Sequence, residues 1–327
     1  MSAAPAAARP RALAFIEPQL ATLVTEPPAG ADWIHEVKFD GYRMECLLSG
    51  GRVRLLTRRG LDWTARFPRV AELAADLPAR AAILDGEIVA LLPDGRSSFQ
   101  ALQQALMNPE ASNVVYYAFD LLRLEQHDLR RLPLEQRKRQ LHALLRGGRR
   151  DRRRTLRYSD HVEGGGTRVL DRACRMGLEG IVSKRRDAPY RSGRGRSWLK
   201  IKCVNRQEFI VIGFTDPRGG RKGVGALLLG VHGAKGELQY AGKVGTGMGE
   251  ALLRSLRATL EPLRRDGSPL RGKPERGLGG VHWVEPRLVV EVSFTEWTED
   301  GRLRHPSFVG VREDKPARQV RRERPAG

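Results

Sequence analysis

Up to residue 202, hydrophobic and polar positions alternate in a way that predicts mixed strands and helices. Two apolar arms, residues 44–48 and 52–57, flank Gly50 and Gly51 and predict a hairpin with a glycine turn. Buried strands are predicted over residues 82–92 and 114–124. Helical spacing predicts helices over residues 67–77, 99–107, 134–145 and 167–176. Residues 11–32 carry several prolines and predict an extended arm.

The pattern changes after residue 202, where short apolar strands predominate. Strands are predicted over residues 208–214, 226–232, 238–244, 288–294 and 308–312. A helix over 250–263 falls between the third and fourth strand, which is the order of a small OB-type barrel. Residues 264–280 are rich in Arg, Gly and Pro and predict a mobile loop. The predicted organisation is a disordered lead-in over 1–16, a first domain over 17–203, a barrel domain over 204–321 and a tail over 322–327.

Length and composition agree with two globular domains. The chain has 327 residues, of which 40% are hydrophobic and 29% charged, enough for real cores and a polar surface. It contains no apolar run of about 18 residues, the length needed for a membrane helix. Residues 1–10 are rich in Ala and Pro but lack the apolar core of a signal peptide. We therefore predict a cytoplasmic protein that makes no use of the membrane.

The charge balance indicates a polyanionic partner. Lys and Arg number 58 against 38 Asp and Glu, which gives a formal net charge of +20. For a protein inside the cell, such an excess most often serves nucleic-acid binding.

Cysteine and histidine give no sign of a metal site. Cys46, Cys174 and Cys203 are widely spaced, and the seven histidines form no pair at metal-binding spacing. We therefore expect neither a disulfide nor a structural zinc, and we expect each cysteine to be a small buried residue.

Lysine is rare in this chain. Only ten of the 58 basic residues are lysine, and Lys38 is the only lysine among the first 137 residues, which hold fifteen arginines. Arginine stays protonated in proteins, whereas lysine can lose its proton and act as a nucleophile. On composition alone, a nucleophile and a chance survivor are equally good interpretations of Lys38.

Lys38 opens a series of short motifs whose order is more informative than any one of them. Taken singly, Asp-Gly pairs fit ordinary turns and Phe119 fits a core residue. In chain order the motifs are Lys38-x-Asp40-Gly41-x-Arg43, Thr57-Arg58-Arg59-Gly60, Leu84-Asp85-Gly86-Glu87, Tyr117-Ala118-Phe119-Asp120, Glu179-Gly180-Ile181-Val182-Ser183-Lys184, Trp198-Leu199-Lys200-Ile201-Lys202 and Arg312-Glu313-Asp314-Lys315. Half of all the lysines lie inside these motifs, which chance does not readily produce.

In order and spacing the motifs resemble those of ATP-dependent DNA ligases, over roughly residues 17–321. Residues 17–20, 34–43 and 304–308 most resemble the ligase module of bacterial non-homologous end-joining ligases. The resemblance implies an α+β fold, in which a nucleotidyltransferase domain of antiparallel sheets with flanking helices precedes an OB-fold β-barrel. It also implies ATP as cofactor, together with Mg²⁺ or Mn²⁺.

The resemblance gives the motif residues their expected roles. Lys38 is the catalytic nucleophile, and Glu87 and Glu179 hold the metal. Glu36 reads the edge of the base, and Phe119 stacks on the purine. The other residues expected to bind the nucleotide are Asp40, Gly41, Arg43, Arg58, Arg194, Lys200 and Lys202, with Arg196 beside them. The residues expected to orient pyrophosphate are Arg312, Asp314 and Lys315.

Two of these roles also follow from physical chemistry. Lys200 and Lys202 alternate along a strand, so both point to one side and suit the α-phosphate oxygens. Their charge, together with a bound metal, is expected to lower the pKa of Lys38.

The implied activity is sealing of nicked or broken duplex DNA by a monomer, with a Ku-type end-binding protein as a possible partner and the bacterial nucleoid as its location. Alternatives are an RNA ligase or a capping guanylyltransferase, which also use a Lys-x-Asp-Gly nucleophile, and a non-catalytic OB-fold protein that only binds DNA. Residues 179–184 and 312–315 favour the DNA ligases.

Overall fold

The computed structural model describes residues 13–107, 113–146, 150–217, 222–270, 278 and 280–326. Over these residues the chain divides into two compact units, with the boundary between Cys203 and Val204. The first unit runs to Cys203 and also includes Ala326, and the second is Val204–Pro325.

The first unit is an α+β structure. Its strands are β1 (Gln19–Leu23), β2 (Trp33–Val37), β3 (Tyr42–Ser49), β4 (Arg52–Thr57), β5 (Ala81–Ala90), β6 (Val114–Leu124), β7 (His127–Asp128), β8 (Leu156–Tyr158), β9 (His161–Glu163), β10 (Gly180–Arg185) and β11 (Gly193–Lys202). Its α-helices are α1 (Pro68–Ala75), α2 (Phe99–Met107), α3 (Leu134–Arg146), α4 (Arg150–Thr155) and α5 (Gly166–Arg175). A 3-10 turn at Thr64–Arg66 precedes α1.

Two sheets form the frame of the first unit. One has the strand order β1-β11-β10-β2-β9, and the other has the order β4-β3-β5-β6-β7, with β8 alongside β6. The pairs β1–β11 and β6–β8 are parallel, and the other pairs are antiparallel. This is the architecture that the resemblance implies for the first domain.

The central strands of the second sheet are deeply buried, which explains why their long apolar runs were easy to predict. Met44 on β3, Leu84 and Ile88 on β5 and Val115 on β6 are at most 1% exposed. Strands covered on both faces carry nearly continuous apolar runs. The predicted hairpin is confirmed as β3 and β4, and both turn glycines, Gly50 and Gly51, have positive φ, as a two-residue hairpin turn requires.

The beginning of the chain differs from the prediction. Leu13, Phe15 and Ile16 belong to the predicted lead-in, yet they pack against a buried cluster that includes Leu47 and Trp198. The ordered first domain therefore begins earlier than residue 17, and residues 1–12 lie outside the described part of the chain. Part of the predicted extended arm is strand β1. It is a strand because it pairs with β11 in parallel, and the sequence around β1 alone does not indicate this pairing.

The cysteine prediction was wrong for two of the three residues. Cys174 at the end of α5 and Cys203 after β11 form a disulfide, with their Cα atoms 5.1 Å apart. Neither is fully buried. Helix α5 packs against β10, and β10 pairs with β11. This arrangement brings Cys203, directly after β11, next to Cys174, 29 residues earlier in the chain. Cys46 is a buried thiol, as expected.

The second unit is a small β-barrel. Its elements are β12 (Asn205–Thr215), β13 (Leu227–His232), β14 (Leu238–Val244), α6 (Glu250–Leu260), β15 (Val281–Trp283), β16 (Val289–Phe294), β17 (Glu296–Trp297), β18 (Leu303–Arg304) and β19 (Ser307–Val311). Short 3-10 turns at Glu261–Leu263 and Ala317–Gln319 complete it.

Its main sheet has the order β14-β13-β12-β16-β19, with β15 also on β12. The N–H of Phe308 donates to the carbonyl of Thr246 (3.0 Å), which links the start of β19 to the chain after β14 and helps close the barrel. Five main strands with α6 between the third and fourth confirm the predicted OB fold. Of the predicted loop over 264–280, residues 271–277 and 279 lie outside the described residues.

Where the structure describes the chain, none of its helices combines the length and the apolar character required to cross a membrane.

Candidate active site

Lys38 lies directly after β2, beside the start of β10. Its backbone N–H donates to the carbonyl of Gly180 (2.9 Å), and its Nζ forms an ion pair with Oε1 of Glu179. The pairing of β2 with β10, with Val37 opposite Ile181, brings the two side chains together. The Lys38 side chain is 21% exposed, so it is largely shielded from water but not fully enclosed.

Carboxylates determine the protonation of Lys38. Burial alone lowers its pKa, but Glu179, Glu87 and Asp40 outweigh burial and raise the pKa above its ordinary value. The expectation of a lowered pKa rested on a bound metal beside Lys200 and Lys202, and the protein side chains alone act in the opposite direction. It counted neighbouring cations and a metal, whereas the side chains closest to the amine are acidic. Lys38 is held here as an ammonium ion.

Glu87 and Glu179 suit a hard divalent cation. Glu87 lies on β5 opposite Arg43 of β3, and both glutamates act on the charge of Lys38. Among the residues that the structure describes, no group of three or more His, Cys, Asp or Glu could hold a metal ion by itself. Mg²⁺ often takes one or two protein carboxylates and completes its shell with water and phosphate oxygens. The glutamate pair fits such an ion when a nucleotide supplies the phosphates.

Lys200 and Lys202 lie on β11, the strand next to β10. Lys202 is opposite Gly180, directly after Glu179, and Lys200 is opposite Val182. Both lysines are partly exposed and share one side of the strand. The sequence prediction that two lysines project together is therefore consistent with the register, which places them one strand away from Glu179.

Glu36 is a buried carboxylate surrounded by donors. Oε1 accepts from Nζ of Lys138 (2.8 Å), and Oε2 accepts from Nζ of Lys184 (3.0 Å) and Oγ of Ser159 (2.8 Å). Burial acts to raise the pKa of Glu36, but the two ammonium groups reverse this and lower it. Burial, assisted by Lys138, lowers the pKa of Lys184 to about 8. Glu36 is therefore an ionised acceptor in a fixed position.

Aromatic residues line the same region. Phe119, 9% exposed, packs edge-on against Trp198, with ring centroids 5.9 Å apart. The ammonium of Lys184 lies 4.3 Å from the Phe119 ring centroid and 4.2 Å from that of Trp198. Tyr117, two residues earlier on β6, stacks on Phe39 at 4.1 Å. Phe119 is thus as much a core residue as a surface for stacking, and the Phe39–Tyr117 stack was not anticipated.

Arg43 is committed to a buried network. Its Nε and one terminal nitrogen donate to Asp85 at 3.0 Å and 2.6 Å, and the other terminal nitrogen donates to the carbonyl of Gln19 at 2.7 Å. The Tyr190 hydroxyl also donates to Asp85, at 2.7 Å. Although burial opposes the charge, Asp85 and Tyr190 raise the pKa of Arg43 further. The guanidinium fastens β1, β3 and β5 together, a role that its motif position did not reveal.

Asp40 and Gly41 shape the backbone beside Lys38. Oδ2 of Asp40 accepts from the N–H of Phe99 (3.1 Å), the first residue of α2. A Cβ on Gly41 would lie 2.0 Å from the carbonyl oxygen of Ile88, so only glycine allows β3 to approach β5 here.

The remaining arginines of the predicted site lie nearer the surface. Arg58 follows β4 and is partly exposed. Arg194 and Arg196 are exposed on β11, and Arg194 donates to the carbonyl of Ala21. A cavity of about 640 Å³ is lined by Arg185, Arg194 and Arg196, among others.

In the second unit, the predicted pyrophosphate residues form ion pairs of their own. Arg312 donates to Asp314 (2.9 and 2.8 Å) and to Glu291 (2.9 Å), and Lys315 contacts Glu208 at 2.9 Å. Asp314 and Glu291 overcome the effect of burial and raise the pKa of Arg312.

Both units match known protein families. Residues 18–202 match the ATP dependent DNA ligase domain, and residues 220–315 match the ATP dependent DNA ligase C terminal region. The chain belongs to the ATP-dependent DNA ligase family. Its first unit is the ligase nucleotidyltransferase domain, and its second is the OB-fold domain that follows it.

Solved structures and curated sequences of ligases are similar to this chain over nearly its whole length. A mycobacterial DNA ligase D complexed with ATP and MES shares 37% identity and a TM-score of 0.70, over 94% of this chain and 98% of that one. The multifunctional non-homologous end joining protein LigD of Pseudomonas aeruginosa is 46% identical over 316 residues, which are 96% of this chain and 37% of LigD. LigD of Mycobacterium tuberculosis is 39% identical over 312 residues, 94% of this chain and 40% of LigD. The chain thus spans well under half the length of these curated relatives.

The sequence analysis did not identify four residues that form hydrogen bonds with Glu36, Arg43 or Asp85. They are Gln19, Lys138, Ser159 and Tyr190. Lys138 carried a usable signal, because it is one of only ten lysines and lies outside every motif. Gln19 lies in the stretch 17–20 that carried the resemblance, although no role was expected of it, and the sequence analysis gave none to Ser159 or Tyr190.

Proposed function

We propose that this chain is an ATP-dependent DNA ligase that seals breaks in duplex DNA through a lysyl-AMP intermediate on Lys38. The observation that carries the proposal is the position of Lys38 against Glu179, with Glu87 acting on the same amine. A lysine that attacks a polyphosphate needs an accessible amine and nearby groups that offset the phosphate charge. The placement of Lys200 and Lys202 on the neighbouring strand supports this role.

In the first step, Nζ of Lys38 attacks the α-phosphorus of ATP. The ammonium first gives one proton to its hydrogen-bonded acceptor, Oε1 of Glu179, which frees the lone pair of Nζ. The N–P bond then forms as the bond to the bridging oxygen breaks, pyrophosphate leaves, and the nitrogen releases its second proton to water. Lys200 and Lys202 neutralise the α-phosphate oxygens, while Glu36 and Phe119 hold the base. Mg²⁺ or Mn²⁺ held by Glu87 and Glu179 would add charge neutralisation at the phosphates when bound.

In the later steps the AMP moves to DNA. The 5′-phosphate of the break attacks the lysyl-AMP phosphorus, which returns the electron pair of the N–P bond to Lys38. The 3′-hydroxyl then attacks the activated 5′-phosphate, loses its proton and expels AMP. Arg58, Arg194 and Arg196 are proposed to hold phosphates during these steps, because their guanidinium groups lie at or near the surface.

We propose that the biological substrate is a double-strand break in a bacterial cell. Support comes from the relatives named LigD, which are described as multifunctional non-homologous end joining proteins. The net charge of +20 favours binding to DNA of any sequence. A Ku-type end-binding protein is the proposed partner, and addition of such a protein should raise the joining of linear duplexes more than the sealing of nicks.

The central test uses ATP labelled at the α-phosphate. Wild-type protein should become covalently labelled, and a chase with nicked DNA should move the label first to the DNA 5′ end and then to AMP. Lys38→Arg should reduce labelling by at least about a thousandfold, because a guanidinium does not deprotonate. Lys235→Arg, at an exposed lysine of the second unit, is the matched control and should label normally. Labelled Lys38→Arg protein would disprove the assignment.

A further inference from the structure

Lys138 is a buried ammonium outside every motif of the ligase family quoted above. It lies on α3, its side chain is 2% exposed, and 102 residues separate it from Glu36. Nζ donates to Oε1 of Glu36 (2.8 Å) and to the carbonyl of Ser159 (2.9 Å), and it lies 4.5 Å from the centroid of the Tyr158 ring.

Core packing does not explain such a residue. Moving an ammonium ion out of water is costly, and replacing both members of a buried ion pair with apolar side chains of similar volume is often neutral or favourable. Arg137, the preceding residue, already supplies a buried ion pair from α3 through Asp120 at 2.8 Å. Lys138 therefore needs another reason, and its only carboxylate contact among the described residues is Glu36.

Glu36 lies where the base of ATP is proposed to bind. Glu36 is the fourth residue of β2, and Lys38 directly follows the end of this strand, two residues later. Lys184 connects Glu36 to the Phe119 ring, which is the proposed stacking surface. The carboxylate and the stacking surface thus belong to one contiguous cluster.

The chemistry of a carboxylate determines which base it accepts. An ionised carboxylate only accepts hydrogen bonds, at about four lone-pair positions, of which Lys138, Lys184 and Ser159 use three. The remaining capacity is on Oε1, the oxygen that Lys138 holds. Adenine offers an amino group at position 6, whereas guanine has a carbonyl oxygen there, which a carboxylate repels.

We propose that Lys138 is a positioning residue that fixes the Glu36 carboxylate for the 6-amino group of adenine, and so determines the preference for ATP over GTP. The inference rests on the proposed function, in which Glu36 faces the base. Lys138 itself does not touch the nucleotide. It acts by preventing the carboxylate from rotating away from the orientation that an adenine amino group requires.

A cavity behind Lys138 makes a conservative replacement possible. It measures about 350 Å³ and is lined by Lys138, Tyr158, His142 and His161, among others. The larger guanidinium of an arginine can extend into this space and still donate to Glu36. Lys138→Arg is therefore expected to retain much of the function, whereas Lys138→Met keeps the length of the side chain and removes its donors.

The test compares ATP with GTP in the covalent labelling of Lys38. Lys138→Met should raise the KM for ATP about tenfold and lower the ATP-to-GTP ratio of kcat/KM about tenfold, as expected for loss of a charge-assisted hydrogen bond. Lys138→Arg should recover most of that ratio. Arg139→Met, an exposed residue next to Lys138 on α3, is the matched control and should leave the ratio unchanged. Sealing of a pre-adenylylated nick uses no free ATP, because the DNA itself delivers the adenylate, so in Lys138→Met it should fall less than labelling does.

Two outcomes would overturn the inference. One is an unchanged ATP-to-GTP ratio in Lys138→Met, and the other is an equal loss of labelling and of sealing, which indicates general structural damage. If Lys138→Met fails to fold, Ser159→Ala removes a single donor from Glu36 and should lower the ratio by about threefold. A wild-type protein that takes label from neither nucleotide would instead refute the proposed function, so the two failures are distinguishable.

Discussion

Arg43 and Asp85 show how a motif residue can serve the fold as well as the chemistry. The two side chains form a bidentate ion pair and are 16% and 3% exposed. The sequence placed Arg43 at the nucleotide, and that role stays a prediction. What the structure adds is a network with Gln19 and Tyr190 that holds three strands together.

Loss of the Asp85 charge is expected to destabilise the protein strongly. Asp85→Asn leaves the Arg43 guanidinium buried without its counter-ion, which typically costs about 3–5 kcal/mol of unfolding free energy. Urea unfolding measures this change. Glu72→Gln is the control, because the Arg69–Glu72 pair is 55% and 67% exposed and should change stability by less than about 0.5 kcal/mol. Similar small effects in both variants would contradict the role given to the buried pair.

Glu45 should make stability depend on pH. Burial raises its pKa to about 8, although the N–H of Ile16 donates to its Oε1 at 3.0 Å. The folded protein then binds a proton that the unfolded chain releases above its ordinary, acidic pKa. The contribution of Glu45 to stability is therefore present at low pH and is lost as the pH rises toward about 8.

The measurement is urea unfolding of wild type and Glu45→Gln between the ordinary pKa of a glutamate, 4.5, and the raised pKa of about 8. The variant cannot ionise, so its stability should gain on that of wild type by up to about 1.4 kcal/mol per pH unit. Parallel stability curves for the two proteins would show that Glu45 keeps an ordinary pKa in the fold.

The motif residues of the site were predictable because their order along the chain is specific. Their partners were not, because Lys138 and Ser159 lie 102 and 123 residues from Glu36 and reach it only through folding. The raised pKa of Lys38 was missed for a related reason, since it depends on how closely three carboxylates approach one amine.

Among the structural elements, those with continuous patterns of their own were predicted best. The bounds of α2 and β6 agree with the sequence prediction residue for residue, because a helical stripe or a long apolar run needs no partner to be recognised. Strands β1 and β9 were missed. Each is short and is stabilised by pairing, β1 with β11 and β9 with β2.

Gly41, directly before β3, should be essential for the placement of the elements around Lys38. Gly41→Ala puts a Cβ 2.0 Å from the Ile88 carbonyl oxygen, so β3 must move from β5 and Asp40 from the start of α2. We expect a loss of at least about 2 kcal/mol in unfolding free energy, together with reduced labelling of Lys38. Gly195→Ala on β11 is the control, because its Cβ would meet no atom within 4 Å. Normal stability of Gly41→Ala would show that β3 has room to shift.

At the scale of the whole molecule, the hydrophobic pattern changes after residue 202, and this change is the basis of the predicted domain border at 203–204. The structural boundary lies between Cys203 and Val204. Composition indicated a nucleic-acid partner but could not specify the chemistry. The ordered motifs did so, since they are distributed over both units.

The second unit is expected to act mainly in the reaction with ATP. Lys315→Ala removes a cation proposed to orient pyrophosphate, so labelling of Lys38 should fall by roughly a hundredfold, while sealing of a pre-adenylylated nick changes little. Comparison of the two rates in one preparation provides the measurement. Lys243→Ala, at an exposed lysine of β14, is the matched control and should behave like wild type in both. Equal losses in the two reactions would exclude a specific role in the first step.

The bond between Cys174 and Cys203 makes residues 174–203 a covalent ring. Glu179, Lys184, Lys200 and Lys202 all lie within it. A protease that cuts once in the exposed stretch near Arg191 would therefore leave both fragments attached until a reductant is added. Because the ring ends at Cys203, the last residue of the first unit, these four side chains stay covalently tied to helix α5 through the bond.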